Sequence, residues 1–425
     1  RALLLMQSGP GYVVSFYACL YAGIIAVPAL PPESLRQYEL SRVRAILDDA
    51  QPSLVLTEAH LCESLLQAFD QALPTTLSVD TLALEGSHGW QVRYPANDDI
   101  AFLQYTSGST ATPKGVEVSH GNLVANERMM VSCFDLHPGD TFVSWLPLYH
   151  DMGLIGCLLL SLYRGATLVL MSPRHFVERP ARWLEAISQY RATHTGAPDF
   201  AFRLAAERVN EKVLATLDLS CLRVLFSGSE PVRQDSLDAF ARHFAVTGFD
   251  PLAFLPCYGL AEATLFVTGT TADEPFVSTC FDSHALGEDR AEPGEGSVLV
   301  SSGILHPGLE VMLVDPHTGD IQPDSRIGEI WTSGDSVARG YWRNRQASAR
   351  AFVCREGRTW LRTGDLGFLR EGRLFVTGRL KDMIIVRGQN IYPQDLERAV
   401  EYNVEGARKG RVSAFVVEQP QGEGI

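Results

Sequence analysis

The sequence predicts an α/β protein whose mostly parallel sheets are covered by helices on both faces. Three observations carry that expectation. Short apolar segments alternate with segments of helical spacing over residues 2–73, the pattern that strand–helix–strand crossovers produce. No charged residue occurs between Ala2 and Pro32, so the first of these units reads as buried. Apolar residues 100–104 then run into a loop rich in hydroxyls and glycine, after which residues 116–120 resume a strand-like alternation.

Taken in order, residues 2–6 predict a strand, 12–21 a helix and 24–28 a second strand. A membrane span needs about 20 consecutive apolar residues, and Gly9, Pro10, Gly11, Gly23 and Pro28 break this run into shorter elements. The chain opens at Arg1 inside what reads as a mid-domain strand, so it is expected to be an N-terminally truncated fragment. Residues 33–49 mix polar and apolar positions at helical spacing, 54–57 predict a buried strand and 59–73 another helix. Residues 74–98, with Pro74, Gly86, Gly89 and Pro95, predict irregular surface structure. Beyond them, 141–146 predict a strand and 154–163 an almost wholly apolar helix. Two helices between 179 and 215 flank 193–198, expected as a strand end facing the cleft, and 222–226 predict a further strand.

Composition narrows the function. At 425 residues, 46% hydrophobic and 20% charged, the chain is an ordinary globular sequence of about two to three domains. A net charge of -14 disfavours general nucleic-acid binding, which uses a basic face, but leaves room for a nucleotide site with a few local cations. The eight cysteines show no CxxC pair, so neither a metal cluster nor a disulfide framework is indicated and a cytoplasmic setting is expected.

Four stretches hold candidate chemistry. YTSGSTATPKG, residues 105–115, reads as a phosphate loop: Gly108 admits backbone N–H groups to an anion, Ser107, Ser109, Thr110 and Thr112 add hydroxyls, and Lys114 adds a compact charge. It is not a Walker loop, since Pro113 precedes Lys114 and Gly115 follows. A short run of this kind reads better as a hairpin turn, and the length of the match, eleven positions in one order, decides against that. PLYHDMG, residues 147–153, ends a strand before an apolar helix, which suits a carboxylate held at the mouth of a hydrocarbon pocket or, alternatively, a core helix with a surface histidine. LPCYGLAEATL, residues 255–265, offers an aromatic face to a purine at Tyr258 and a hard oxygen ligand for Mg²⁺ at Glu262, or else a plain helix start. RTGD, residues 362–365, places a carboxylate in a tight turn, apt for accepting ribose hydroxyls or simply an ordinary turn.

In this order the motifs resemble those of the acyl-adenylate-forming, AMP-binding superfamily, and LPLYHDMGLIG, LFSGSEPVR and LPCYGLAEATL resemble its fatty acyl-AMP ligases. The resemblance implies a large N-terminal adenylating domain with a smaller β subdomain over residues 1–381. After a hinge at Asp382 it implies the start of a small α+β C-terminal domain over 382–425. It implies that Lys114, His150 and Glu262 are catalytic, with Glu262 on the metal. Thr106, Ser107, Gly108, Ser109, Thr110, Ser229, Glu230, Tyr258, Gly259, Leu260, Ala261, Asp365 and Arg379 would bind the nucleotide, and Asp151, Met152, Gly153 and Leu154 the acyl group. Ser229 stands where alanine is expected, Ala111 interrupts the loop, and 305–308 replace a more usual arginine-bearing turn.

The reaction so implied uses ATP and Mg²⁺ to turn a fatty acid into acyl-adenylate and pyrophosphate. The acyl group then passes to an acyl carrier protein or a polyketide or peptide synthase carrier domain, with no nucleic acid and no membrane span involved. A family lysine expected late in the C-terminal domain has no counterpart here, Lys409 having the wrong surroundings. Residues 270–297, acidic and expected at the surface, resemble an insertion thought to restrict the movement that admits CoA. An acyl-CoA ligase and a non-catalytic acyl-adenylate-binding module are the other readings.

Overall fold

The computed structural model describes residues 1–32, 36–69, 72–82, 89–106, 113–386, 389–404, 406–407, 411–415, 417–419 and 422–424. Six strands, β1 (Ala2–Leu5), β2 (Ala26–Ala29), β3 (Leu54–Thr57), β4 (Thr75–Ser78), β5 (Ile100–Tyr105) and β6 (Gly115–Ser119), form the first sheet in the order β4-β3-β1-β2-β5-β6. All its pairs are parallel except β5 with β6. Ala2 and Leu4 enter one apolar core while Leu3 and Leu5 enter another. Successive side chains of a strand point to opposite faces, so a central strand buried on both reads as a continuous apolar run.

The second sheet joins twelve strands among the described residues. One part is parallel and follows the order β11-β10-β9-β7-β8, from β7 (Thr141–Ser144), β8 (Thr167–Leu170), β9 (His194–Gly196), β10 (Val224–Ser227) and β11 (Phe254–Gly259). From β11 onward pairing turns antiparallel through β12 (Phe266–Gly269). The ladder goes on into the β-rich part of the chain, where β17 (Gly328–Gly334), β19 (Arg358–Arg370) and β20 (Arg373–Arg379) lie side by side. Under the parallel strands Trp183, Phe202, Phe240 and Phe254 pack edge-on or tilted in one aromatic core. No helix of the described residues is long and apolar enough to cross a membrane.

Several elements differ from the sequence reading. Residues 74–98 are not wholly irregular, because Thr75–Ser78 pairs with β3 at the sheet edge; its β-branched residues suit a strand although one face stays partly exposed. His120 does not end a strand. Ser119 accepts from the Asn122 N–H at 3.1 Å and Asn122 Oδ1 accepts from the Ser119 N–H at 3.0 Å, a reciprocal cap that starts the helix His120–Cys133. The acidic stretch 270–297 is a folded unit: strands Ser278–Asp282 and Gly296–Val300 pair antiparallel around a short helix, Ser283–Gly287. Its Phe281 is fully buried, edge-on to Phe368 and Phe375. None of residues 193–198, expected to face the cleft, lines the cavities described below, and His194 is buried, stacked on Phe142 and bonded to the Phe134 carbonyl.

Candidate active site

A cavity of about 600 Å³ opens beyond the C-terminal ends of β5, β10 and β11, where the second sheet changes from parallel to antiparallel. Open α/β sheets bind ligands at such ends. Gly259 closes β11 there, and the Leu260 N–H donates to the Leu265 carbonyl at 2.8 Å. A Cβ on Gly259 would lie 1.8 Å from that oxygen, so only glycine permits the turn that presents Leu260, Ala261 and Glu262 to the cavity.

That turn is clamped from the side. Asn126, fully buried on helix His120–Cys133, donates to the Ala263 and Phe266 carbonyls at 3.3 and 2.9 Å and accepts from the Phe266 N–H at 3.0 Å. Glu262 Oε1 accepts from the Tyr341 hydroxyl at 2.7 Å, and desolvation raises its carboxyl above the usual range. The Lys114 ammonium lies 5.0 Å from the centre of the same tyrosine ring, a cation–π contact. Tyr341 therefore joins the two charges that the sequence predicted separately.

Asp365 lies inside the long strand β19, not in a tight turn as RTGD suggested. Gly364 before it has φ 72° and the pairing register shifts just after it, which lets turn-prone residues sit within the ladder. Asp365 faces Arg379 directly across β19 and β20. Its Oδ1 accepts from Arg379 Nε at 3.0 Å and its Oδ2 from the Tyr258 hydroxyl at 2.7 Å. Burial raises this carboxyl, and the Arg379 charge opposes the shift.

At the other end, His150 Nδ1 lies 3.1 Å from Asp151 Oδ1, which also accepts from the Met152 N–H at 2.7 Å. The bond to Asp151 raises the His150 pKa against desolvation. Gln104 Nε2 donates to the Tyr149 carbonyl at 3.0 Å, tying β5 to this turn. The expected apolar helix is interrupted: Asp151–Gly153 and Leu160–Arg164 are α-helical, and Leu154–Leu159 between them is π-helical. Its Gly156 lines the cavity with Met130, Phe134, Phe226, Leu265 and Phe266. Phe134 stacks on Phe226 at 5.1 Å and meets Phe266 edge-on at 6.0 Å. This arm is apolar throughout.

A second cavity, of about 400 Å³, shares Ser229, Cys257, Tyr258, Gly259 and Arg379 with the first and adds Glu230 and Asp365. Glu230 lies in neither a helical first turn nor the first cavity: the helix begins at Gln234, and Glu230 Oε1 accepts from the Phe200 N–H at 2.7 Å. Ser229 takes a left-handed backbone, φ 71°, and its hydroxyl donates to the Met152 sulfur at 3.2 Å.

The structure thus gathers Thr106, Lys114, His150, Asp151, Met152 and Glu262 around the first cavity, with Asp382 at its rim. Gly153 and Leu154 do not line either cavity. A Cβ on Gly153 would meet the Pro147 carbonyl oxygen at 2.4 Å, so this glycine serves close packing, and Leu154 is fully buried. Ser107, Gly108, Ser109, Thr110 and Lys409 lie outside the described residues. Sequence reasoning missed Tyr341, Gln104, Asn126 and the phenylalanine-lined arm. Of these, only Tyr341 carried a signal, an aromatic in the glycine-bearing run SVARGYW, residues 336–342.

Residues 1–342 match the family described as AMP-binding enzyme. The chain is 40% identical over 99% of its length to the putative fatty-acid–CoA ligase fadD25 of Mycobacterium tuberculosis, covering 75% of that protein. It is 38% identical over 98% of its length to the medium-chain-fatty-acid–[acyl-carrier-protein] ligase JamA of Moorena producens, covering 74% of it. The solved fatty acyl-adenylate ligase from L. pneumophila in complex with acyl adenylate and pyrophosphate superposes with a TM-score of 0.85 at 39% identity, over 100% of this chain and 75% of that one. Motifs, fold and relatives agree, and the chain belongs to the AMP-binding enzyme family as an acyl-adenylate-forming member similar to the fatty acyl-AMP ligases.

Proposed function

We propose that this chain joins a fatty acid carboxylate to the α-phosphate of ATP, releasing pyrophosphate, and that the acyl group then passes to the phosphopantetheine thiol of an acyl carrier protein with release of AMP. The observation that supports this reading most is the polarity of the joined cavities. Their lining combines the bonded Tyr258, Asp365 and Arg379 with Lys114, His150 and Glu262 and with the rings of Phe134, Phe226 and Phe266.

Two anions must meet for the reaction, and fixed charge lowers that barrier most. Lys114, held over Tyr341, would offset charge on the phosphates, and His150, whose pKa the bond to Asp151 raises, would orient the attacking carboxylate. Asp365 would accept the ribose hydroxyls beside Arg379, with Tyr258 packed on the adenine. Among the described residues no group of three His, Cys, Asp or Glu side chains converges on a metal position. A single carboxylate nevertheless fits Mg²⁺, which keeps several waters and binds mainly through nucleotide phosphates, so Glu262 would hold it. When bound, Mg²⁺ supplies charge neutralisation at the phosphate oxygens.

Acceptor choice separates this reading from an acyl-CoA ligase, favoured by the name of one relative. Purified protein given ATP, a fatty acid and either CoA or a phosphopantetheinylated carrier should yield acyl-adenylate and pyrophosphate and acylate the carrier alone. Acyl-CoA formation at a matching rate would establish the CoA ligase. Absence of acyl-adenylate with every acid tried would leave a binding module.

A further inference from the structure

We propose that Arg233 is a positioning residue whose ion pair with Glu401 latches the C-terminal segment over the second cavity. Arg233 precedes the helix Gln234–Phe244 and lines that cavity. Its Nη1 lies 3.5 Å from Glu401 Oε2 on the helix Pro393–Asn403. The Glu401 side chain is only 2% exposed. A carboxylate so far from water is tolerated where a cation meets it and becomes a liability once that cation is removed.

The arginine is itself held in place. Its backbone N–H donates to Asp199 Oδ1 at 2.8 Å, and the Ser236 hydroxyl donates to Asp199 Oδ2 at 2.7 Å. Asp199 is buried at the start of the helix Asp199–Arg208, so Arg233 is anchored to the aromatic core side of the molecule. Tyr392, next to the C-terminal helix, is buried and lines the same cavity as Leu286 of the inserted hairpin. Apolar contact of that kind is non-directional. The charge pair supplies the direction, and so sets where the segment rests.

The latch can also be released. Glu230, which lines the same cavity, feels the Arg233 charge as well. When the segment lifts, Glu401 gains water and Arg233 keeps a carboxylate neighbour, so neither charge is stranded. Opening and closing then become a small bias between two arrangements, of the sort that a ligand in the cavity can tip.

Hydrogen exchange read peptide by peptide tests this without reference to catalysis, so its outcome is independent of the proposed reaction. Glu401→Gln, which keeps the shape, and Arg233→Gln should each speed exchange across residues 393–403 by about tenfold, as expected for local opening. Peptides from 199–208 and 234–244 should stay at the parent rate. The exchanged double variant Arg233→Glu with Glu401→Arg should return 393–403 to within about twofold of the parent. Unchanged exchange at 393–403 in Glu401→Gln would overturn the latch. So would acceleration spread over the whole chain, or an exchanged variant as fast as the single ones.

Discussion

The two ends of the cavity are built by different physics. At the proposed nucleotide end, Tyr258 and Arg379 are each bonded to Asp365, at 2.7 and 3.0 Å, and Glu262 is fixed by Tyr341. At the proposed acyl end the Phe134, Phe226 and Phe266 rings meet by packing alone. Directional bonds fix the groups that the first end presents. Shape and area govern the second, which can be retuned by volume.

The sharpest way to break the comparison is at the directional end. Asp365→Ala removes the acceptor shared by Arg379 and Tyr258 and should weaken acyl-adenylate analogue binding by roughly 3 kcal/mol, the scale for charge-assisted bonds. Calorimetry giving the parent affinity would sever Asp365 from the nucleotide. Glu262→Gln keeps a partner for Tyr341 but loses the charge, and pyrophosphate release should slow by about 100-fold with a smaller change in the KM for ATP. An equal loss in both parameters would point to a packing role.

At the shape-governed end effects should be smaller and dependent on the substrate. A Cβ on Gly156 would lie 3.1 Å from Leu265 Cδ2, so Gly156→Val narrows the arm. Competition between long and short acids should shift about tenfold toward the short one; an unchanged ratio would place the hydrocarbon elsewhere. The smallest effect expected is in pH. Because Asp151 raises the His150 pKa, protonated His150 is favoured below the ordinary histidine range, and that benefit is lost as pH rises through the raised value. The KM for the acid should climb a few-fold as pH rises beyond the ordinary histidine range, and Asp151→Asn should move the climb to lower pH. A flat profile would remove His150 from carboxylate binding.

The same contrast explains what was legible. Tyr258, Gly259 and Glu262 stand within one strand and its turn, so local chemistry announced them. Tyr341 reaches Glu262 across 79 positions, a pairing that no local pattern encodes. Asp365 carries turn-forming neighbours, yet pairing with β17 and β20 overrides them. The stretch after His150 is apolar on every side, so it predicts a buried helix but not its π register or which residue faces the cavity. For β9 the pattern shows burial, not the direction of its end, and His194 turned inward to the Phe134 carbonyl.

The claim that one end holds an adenylate and the other a hydrocarbon is tested most directly by calorimetry with non-hydrolysable acyl-adenylate analogues of increasing chain length. Affinity should rise by up to about 0.8 kcal/mol for each added CH₂ until the acyl group fills the arm at Phe226, and then level off. An affinity equal to that of the nucleotide part alone, whatever the chain length, would contradict the account.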